Sequence, residues 1–442
     1  MVKQLTNPEG QAVGAPPLGQ KTAARRAMMA SYLGTTVEFY DFFIYGTAAA
    51  LIFPTVFFTD LPVQLGVTLS YLTLAAGYVA RPVGGILFGH FGDRVGRKRM
   101  LLITMLMMGL VSIAMGVLPG TETIGYAAPV ILVLLRLVQG IAVGGEWAGA
   151  ALMALEHAQP KNRGFAASLA VSGAPSGAVL ATLVFGAVSM LPQEQLLQWG
   201  WRVAFLMSVG LVFLAMYLRS RVTESPEFER EKAERGNEKA PVAPLVEVLK
   251  RHPGRLASAI LSGVAPLFLQ SLLATFAISY AVSRGHAQPT VLWMVTIANF
   301  LMIFTVPAFA AVSDRIGRRP VMMAGYIFGG SMIWVIFRLI DSGNVLLLLA
   351  AIVIGNPIAN GMMYGPLGAF FSEKFDTGSR YTGVSLSYQL STLLGAGFAP
   401  LIASSLLFAG SGGTQLVSLF FMGLCVLGVL AVWFSRETKG SL

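Results

Sequence analysis

The sequence predicts an all-α integral membrane protein with twelve transmembrane helices in two pseudo-symmetric six-helix bundles. Three observations predict it. Of the 442 residues, 55% are hydrophobic and 12% charged, against about 25% charged in ordinary soluble domains. The mean hydropathy of +0.69 leaves more apolar surface than one core of this length can bury. A short loop, GHFGDRVGRK (89–98), returns in degenerate form as AAVSDRIGRR (310–319), half a chain later.

A bilayer asks for about 20 apolar residues per spanning helix, and backbone groups in lipid must be satisfied within the helix. Apolar runs bounded by polar or Gly/Pro breaks place spans near 28–58, 66–91, 99–118, 127–153, 164–190 and 201–219. The second set lies near 255–284, 289–311, 321–341, 345–371, 382–408 and 415–435. Several are long for a bilayer and imply tilt or extension past it. Residues 1–27 carry no apolar signal core and no small-residue cleavage site, so they read as a cytoplasmic tail.

The net charge of +10 raises the question of nucleic acid, but its distribution answers otherwise. With the N-terminus inside, the clusters Arg94–Arg99, Lys161/Arg163, Arg219–Arg255, Arg315–Arg319, Lys374/Arg380 and Arg436/Lys439 all fall on the cytoplasmic side. Of the 31 Lys and Arg, only Arg81, Arg136, Arg202, Arg284 and Arg338 lie elsewhere, so the positive-inside rule puts both termini in the cytoplasm. The expected division is a six-helix bundle over 28–219, a cytoplasmic linker over 220–254, a second bundle over 255–435 and a tail over 436–442. Within the linker, TESPEFEREKAERGNEKAP (Thr223 to Pro241) reads as a solvated stretch.

Enzyme chemistry finds little support. Cys425 is the single cysteine, and His90, His157, His252 and His286 show no ligand spacing, so neither a metal nor a cofactor is expected. No nucleotide-binding glycine loop and no soluble domain is evident. A monomer in the lipid bilayer is expected, without nucleic acid.

The repeated loop aligns Asp93 with Asp314 and implies duplicated halves that rock about a central site. Asp93 at a helix end can pair with arginines and with the positive N-terminal end of a neighbouring helix. Gly89, Gly92 and Gly96 allow a tight turn between closely packed helices. Asp93, Arg94, Gly96, Arg97 and Lys98, with Asp314, Arg315, Gly317 and Arg318 of the second copy, therefore form a candidate gating lock. The alternative is topogenic charge on a structural turn.

The GxxxDRxGRK loop, its degenerate copy and RLVQG (136–140) resemble the major facilitator superfamily across essentially the whole chain. GTTVEFYDFFIYGTAAALIFP, RPVGGILFGHFGDRVGRK, RLVQGIAVGGEW, WGWRVAF, ESPEFE and RYTGVSLSYQ narrow the resemblance to the metabolite:proton symporter family. Its shikimate-type branch is the most similar; α-ketoglutarate, citrate and proline-betaine permeases are the other types. The resemblance implies a bacterial inner-membrane symporter of organic acids or zwitterions, driven by protons. SGAPSG (172–177) is only loosely similar to the Gly-Pro motif of drug/proton antiporters, which weighs against efflux.

Ionisable residues inside spans are functional candidates by default. The first half has five: Glu38, Asp41, Arg81, Arg136 and Glu146. Glu38 and Asp41 share a helix face, which Tyr45 continues. Counting about 1.5 Å per residue puts Asp41 and Arg136 at one level near the membrane middle. This predicts an Asp41–Arg136 pair, with Arg81 balanced by Glu38 or Glu146. Three acids then face two arginines, and a carboxylate lacking a permanent partner in low dielectric binds a proton more readily. Glu38, Asp41 and Glu146 are the proton-coupling candidates. Arg81 and Arg136 favour a carboxylate substrate, and structural ion pairing is the competing reading.

The second half offers neutral groups: Gln270, Asn299, Asn356, Asn360, Tyr364, Tyr388 and Gln389. They are candidates for substrate contact or for interhelical hydrogen bonding. Asn356-Pro357 and Tyr364-Gly365-Pro366 should break span ten locally, and Arg338 beside Asp341 reads as a surface group. Tyr32, Tyr45 and Tyr388 are candidates to line a cavity or to anchor span ends.

The leading expectation is proton-coupled uptake of a small organic acid by alternating access. Uptake of a zwitterionic osmolyte of the proline/betaine type is the alternative, weakened by a chain that stops at SRETKGSL without a coiled-coil tail. Proton-driven efflux of an aromatic compound is a third.

Overall fold

The fold follows from helices that must hide their polar backbone from lipid and close over a few buried charges. The computed structural model describes residues 18–59, 61–224, 228–230, 233 and 244–439. The stretch Thr223 to Pro241 lies largely outside the described residues.

Twelve helices of spanning length run in order. The first half contains α1 (Leu18–Leu51), α2 (Val63–Val95), α3 (Arg97–Val117), α4 (Ala127–Glu156), α5 (Arg163–Val188) and α6 (Trp201–Ser220). The second contains α7 (Pro253–Ser283), α8 (Gln288–Ile316), α9 (Arg318–Ile340), α10 (Val345–Ser372), α11 (Thr377–Ala409) and α12 (Gln415–Trp433). Eleven of them are apolar enough to cross a membrane on composition alone. The remaining one, α1, contains Glu38 and Asp41, whose charges interrupt its apolar run. Among the described residues, all regular structure is helical.

Helix limits agree with the sequence reading to within about five residues except in span one, where α1 ends at Leu51 and a short helix, Phe53–Val56, follows. There α1 begins at Leu18, well inside the expected tail, and Ala27, the last residue of that tail, is buried with Ala30 against Leu101, Met153 and Ala170. In the linker a further helix, Pro244–Arg251, lies ahead of α7 with Val248 buried. Span ten breaks as expected: Ile354–Asn360 winds as a π-helix around Pro357, and a turn at Gly365-Pro366 separates it from Leu367–Ser372.

Within the first half α1 packs on α5, α2 on α4 and α3 on α6; within the second α7 packs on α11 and α12, and α9 on α12. The halves meet where α5 lies along α8 and α2 along α11. The α2–α4 crossing is the tightest in the first half. A Cβ at Gly84 would fall on the Ile141 carbonyl, and one at Gly144 would fall on the Arg81 carbonyl and lie 2.8 Å from the Gly84 Cα. Lipid offers no hydrophobic drive between helices, so such close backbone contact supplies the packing energy.

The even-numbered helices end on one face, which carries the basic loops Arg94–Arg99 and Arg315–Arg319 and is called the basic face below. Gly96 and Gly317 turn the chain there at φ 117° and 107°, a conformation that side-chain-bearing residues adopt only with strain.

The crossing yields a first prediction. Gly84→Leu should separate α2 from α4 and cost about 1–3 kcal/mol by overpacking. A lowered melting temperature in detergent is expected, and an unchanged one would contradict this packing.

Candidate functional site: a buried charge cluster and its closure

Two layers of polar side chains interrupt the apolar interior. The first lies at the basic face, where each repeated aspartate caps a helix of the opposite half. Asp93, at the end of α2, accepts from the backbone N–H groups of Tyr381 (3.0 Å) and Thr382 (2.9 Å) and from the Thr382 hydroxyl (2.8 Å). Asp314, at the end of α8, accepts from the N–H groups of Gly164 and Phe165, both at 2.8 Å. The first N–H groups of a helix have no partner inside it, so a carboxylate satisfies them and gains from the dipole. Gly89 and Gly92 lie within α2, and a Cβ on them would strike Thr382 Cα and the Tyr381 ring. They admit a helix of the other half, whereas only Gly96 shapes the turn.

Arginines surround both caps. Glu156 binds Arg97 (3.1 Å) and Arg380 (2.9 Å), and Arg318 binds Asp314 (2.6 Å) and Glu373 (3.0 Å). Glu224 accepts from the N–H of Arg97 (3.1 Å), and Glu437 from that of Arg318 (2.9 Å), closing the start of α3 and of α9 in the same manner. Arg94 and Arg315 are exposed, and Lys98 reaches the Ser220 carbonyl. Glu156, Glu373, Glu224 and Glu437 were missed in the sequence reading. One signal was available: EHAQPKNR and SEKFDTGSR both set an arginine seven residues after a glutamate.

Just inside this layer, the Trp147 ring stacks on Tyr388 at 3.6 Å and 4°. Tyr381 donates to the Gly145 carbonyl (2.7 Å), and Gln389 to that of Gly144 (2.9 Å). Tyr388 also bonds Tyr364 at 2.9 Å. Among the described residues, every side-chain hydrogen bond between the halves lies from Gly144 and Gln389 toward the basic face. The structure is closed on that face.

The second layer lies deeper, in the first half, around a cavity about one water in size. Glu38, Phe42, Arg81, Arg136 and Gln139 line it. The Arg81 guanidinium lies over Phe42 (4.8 Å) and Tyr78 (4.6 Å), and that of Arg136 over Tyr45 (4.1 Å) and Phe42 (5.1 Å). Cation–π contact steadies a buried guanidinium but leaves its charge uncompensated.

Two expected pairings are corrected here. Asp41 and Arg136 form no ion pair; Ser112 (2.7 Å) and Ser208 donate to Asp41 instead. The connection is indirect: Arg136 donates to Gln139 Oε1 (2.6 Å), Gln139 to Ser112 Oγ (3.4 Å), and Ser112 to Asp41. Likewise Arg81 forms no ion pair with Glu38 or Glu146 among the described residues. Glu146 instead binds Arg219 at 2.7 Å. Arg219, grouped above with the linker charges, is buried and reaches in from the end of α6 over Gly34, where a Cβ would occupy its place. The balance is therefore three acids to three arginines. Glu38 retains a buried carboxylate oxygen without a hydrogen-bond partner.

In the second half, Asn356 donates to Asn299 (3.2 Å) and Asn360 to Asn356 (3.3 Å), an interhelical chain. Gln270 is half-buried on α7. Tyr45 donates to Thr73, and Tyr32 bonds Ser176 at 2.8 Å. Asp341 pairs with Arg284 (3.1 Å) and Tyr280, while Arg338 is exposed.

Twelve spanning helices closed around a buried charge cluster define a polytopic membrane transporter. The major facilitator superfamily profile matches residues 31–384 and 263–441. The shikimate transporter of Escherichia coli is 35% identical over 419 residues, covering 94% of this chain and 95% of the relative. The inner membrane metabolite transport protein YhjE of E. coli is 36% identical, covering 94% of each chain. A proline/betaine transporter of Salmonella typhimurium is 30% identical, covering 94% of this chain and 84% of its own length. In fold, the chain matches the proton:xylose symporter XylE bound to 6-bromo-6-deoxy-D-glucose with a TM-score of 0.78 at 17% identity, covering 95% of this chain and 98% of that one. The chain belongs to the major facilitator superfamily, in the branch of these bacterial metabolite transporters.

The Glu146–Arg219 pair generates the second prediction. Removing one partner of a buried pair leaves the other uncompensated and costs about 3–5 kcal/mol. Arg219→Leu should destabilise the protein by that order, and Arg219→Leu with Glu146→Leu should recover most of the loss. A double-mutant cycle of detergent melting checks it, and additive losses would contradict the pair.

Proposed function

We propose that this protein is a proton-coupled symporter that imports a small organic anion by alternating access, in a bacterial inner membrane with its basic face and both termini cytoplasmic. One observation carries the reading: Arg81 and Arg136 converge on a buried cavity, and neither forms an ion pair with Glu38, the carboxylate that shares it. Buried guanidiniums held only by rings and an amide are costly in a membrane, and a carboxylate-bearing solute would give them direct partners, bidentate where geometry permits.

The chain from Asp41 to Arg136 supports a coupling mechanism. While Asp41 is ionised it holds the Ser112 proton, so Ser112 accepts from Gln139 and Gln139 holds Arg136. Protonating Asp41 weakens its grip on Ser112; a turn of the Gln139 amide then lets Ser112 donate to its Oε1, which leaves Arg136 and releases it to the solute. Proton and anion thus bind together and travel in one direction. Glu38, beside both arginines, is the second proton-coupling group. Gln270, Asn299, Asn356 and Asn360 complete the solute site from the second half when the helices approach.

The basic-face lock makes the second half of the cycle conditional. Inward opening must withdraw Asp93 from Thr382 and Asp314 from Gly164, exposing both helix starts. A proton and an anion bound together leave the charge balance of the central site unchanged, so the loaded site can enter the low-dielectric closed state on the opposite face and offset that loss with the solute's contacts. The zwitterionic alternative fits less well, because Phe42, the ring lining the cavity, already lies against both guanidiniums, and their two positive charges would repel an ammonium.

Two predictions test the reading. In proteoliposomes, an inside-alkaline gradient should drive accumulation of one labelled organic acid, abolished by an uncoupler. Arg136→Gln should lower this uptake by about tenfold or more, the loss of a charged hydrogen bond. Asp41→Asn should retain counterflow exchange but lose accumulation. Uptake by wild type that equilibrates and never accumulates would overturn the coupling. Separately, Asp93→Asn should weaken the cap by about 0.3–2 kcal/mol, the loss of a negative charge at a helix N-terminus, and open the basic face more often. Faster alkylation of Gln389→Cys in a Cys425→Ser background reads this directly, and an unchanged rate would argue that the lock does not gate.

A further inference from the structure

The basic face holds a second cavity of about 1220 Å³, between the start of α7, the α10–α11 loop and the chain leaving α12. Lys374 forms its floor. Its side chain is buried, yet among the described residues it has no carboxylate partner. The ammonium donates to Ser258 (3.0 Å) and Ser435 (2.8 Å) and lies 4.4 Å from the Phe370 ring centre. Ser258 and Ser435 donate to the Ala431 carbonyl, which turns their lone pairs toward the lysine. This is a cradle built for a charged ammonium, with its third N–H left without an oxygen acceptor among the described residues.

Arg255 and Arg436 flank the same cavity, and Arg436 is exposed. The wall acids are already engaged: Glu373 with Arg318, Asp376 with His252 (3.2 Å) and Arg255 (3.7 Å), Glu437 with the start of α9. Burial, and then the Arg255 charge, push the Lys374 ammonium down to about 8, as expected for a cation held without a counter-ion. Phe434 on the rim and the adjacent Trp433 are exposed at the end of α12, where aromatic residues sit at headgroup level in a membrane.

We infer that Lys374, Arg255 and Arg436 form an anion site for a phosphate group, at the level of the membrane's headgroups and apart from the transport cavity. An ammonium, the exposed Arg436 guanidinium and the Arg255 guanidinium, one end of which is shared with Asp376 and the Lys374 carbonyl, supply several charged donors, matching a phosphate's oxygens better than an aromatic or neutral ligand. A phospholipid headgroup and free phosphate share this chemistry; the rim aromatics favour the lipid.

The test uses the full chain and melting rather than transport, so it stands apart from any outcome for symport. Purified protein is melted in detergent with inorganic phosphate or with chloride at equal ionic strength. It is then melted in mixed micelles of phosphatidylcholine with or without phosphatidylglycerol. A higher melting temperature with phosphatidylglycerol alone assigns the site to lipid, and with inorganic phosphate alone to a soluble anion; both responses support the shared chemistry. Lys374→Met should weaken the midpoint of the response by about tenfold or more, as one lost charged contact does. If Lys374→Met does not fold, Arg436→Gln carries the comparison. No shift in either medium, or an equal shift in the variant that folds, would overturn the site.

Discussion

The structure depends on one interaction used twice: an aspartate ending a helix in one half satisfies the free N–H groups that begin a helix in the other. Asp93 does this for α11 and Asp314 for α5. Each cap replaces water that would otherwise have to reach a helix start near the edge of the hydrocarbon. The caps are short and directional, so they fix both distance and register between halves. The α2–α11 contact exists because Gly89 and Gly92 let the capped helix come close, and the arginine–glutamate pairs of Arg97, Glu156, Arg380, Arg318 and Glu373 take their places around it. Little apolar contact is needed for specificity here; polar groups with one acceptable geometry provide it.

Deeper in, the same requirement acts on side-chain charge. A charge in the bilayer is tolerated when it is paired, hydrogen-bonded or stacked on rings, and the first half uses all three. Glu146 is paired with Arg219, Asp41 is held by two serines, and Arg81 and Arg136 rest on aromatic faces. The solutions differ in what they leave over. A paired charge is finished, whereas a stacked guanidinium still has donors and a net charge to offer. The cavity forms where the unfinished solutions meet.

Most of the fold was legible because bilayer physics writes directly into composition. Apolar runs, Gly/Pro breaks and basic clusters located the helices to within a few residues, and a repeated DRxGR loop revealed the two halves. The start of α1 was missed because its first turns, LGQKTAARRA, are polar and basic and leave no hydropathy signal. At the site, residue types were legible and partners were not. Helical arithmetic set Asp41 level with Arg136, but a third helix inserts Ser112 between them and Gln139 spans the rest. Arg219 looked topogenic because it ends its helix; only the packing around Gly34 reveals that its side chain runs inward. One-dimensional depth ranks residues along the membrane normal, and pairing is decided by rotation about it.

The duplicated frame carries unequal chemistry, and that inequality bears on how such a molecule works. The locks are nearly equivalent in the two halves: cap, arginine, glutamate and a second glutamate closing the following helix recur in each. The interior is not equivalent. Every ionisable group of the central cavity belongs to the first half, while the second presents the Asn299–Asn356–Asn360 chain on a helix loosened by the π-turn at 354–360. In the proposed cycle, symmetric locks let either half release the other with the same motion. The charges of the first half sit beside the close, glycine-packed crossing of α2 and α4, and in that cycle a proton and an anion change their balance. The half with the broken helix and neutral amides would then move over that cluster without carrying charge through lipid. On that proposal, symmetry serves the movement, and asymmetry confines the electrostatic cost to the first half.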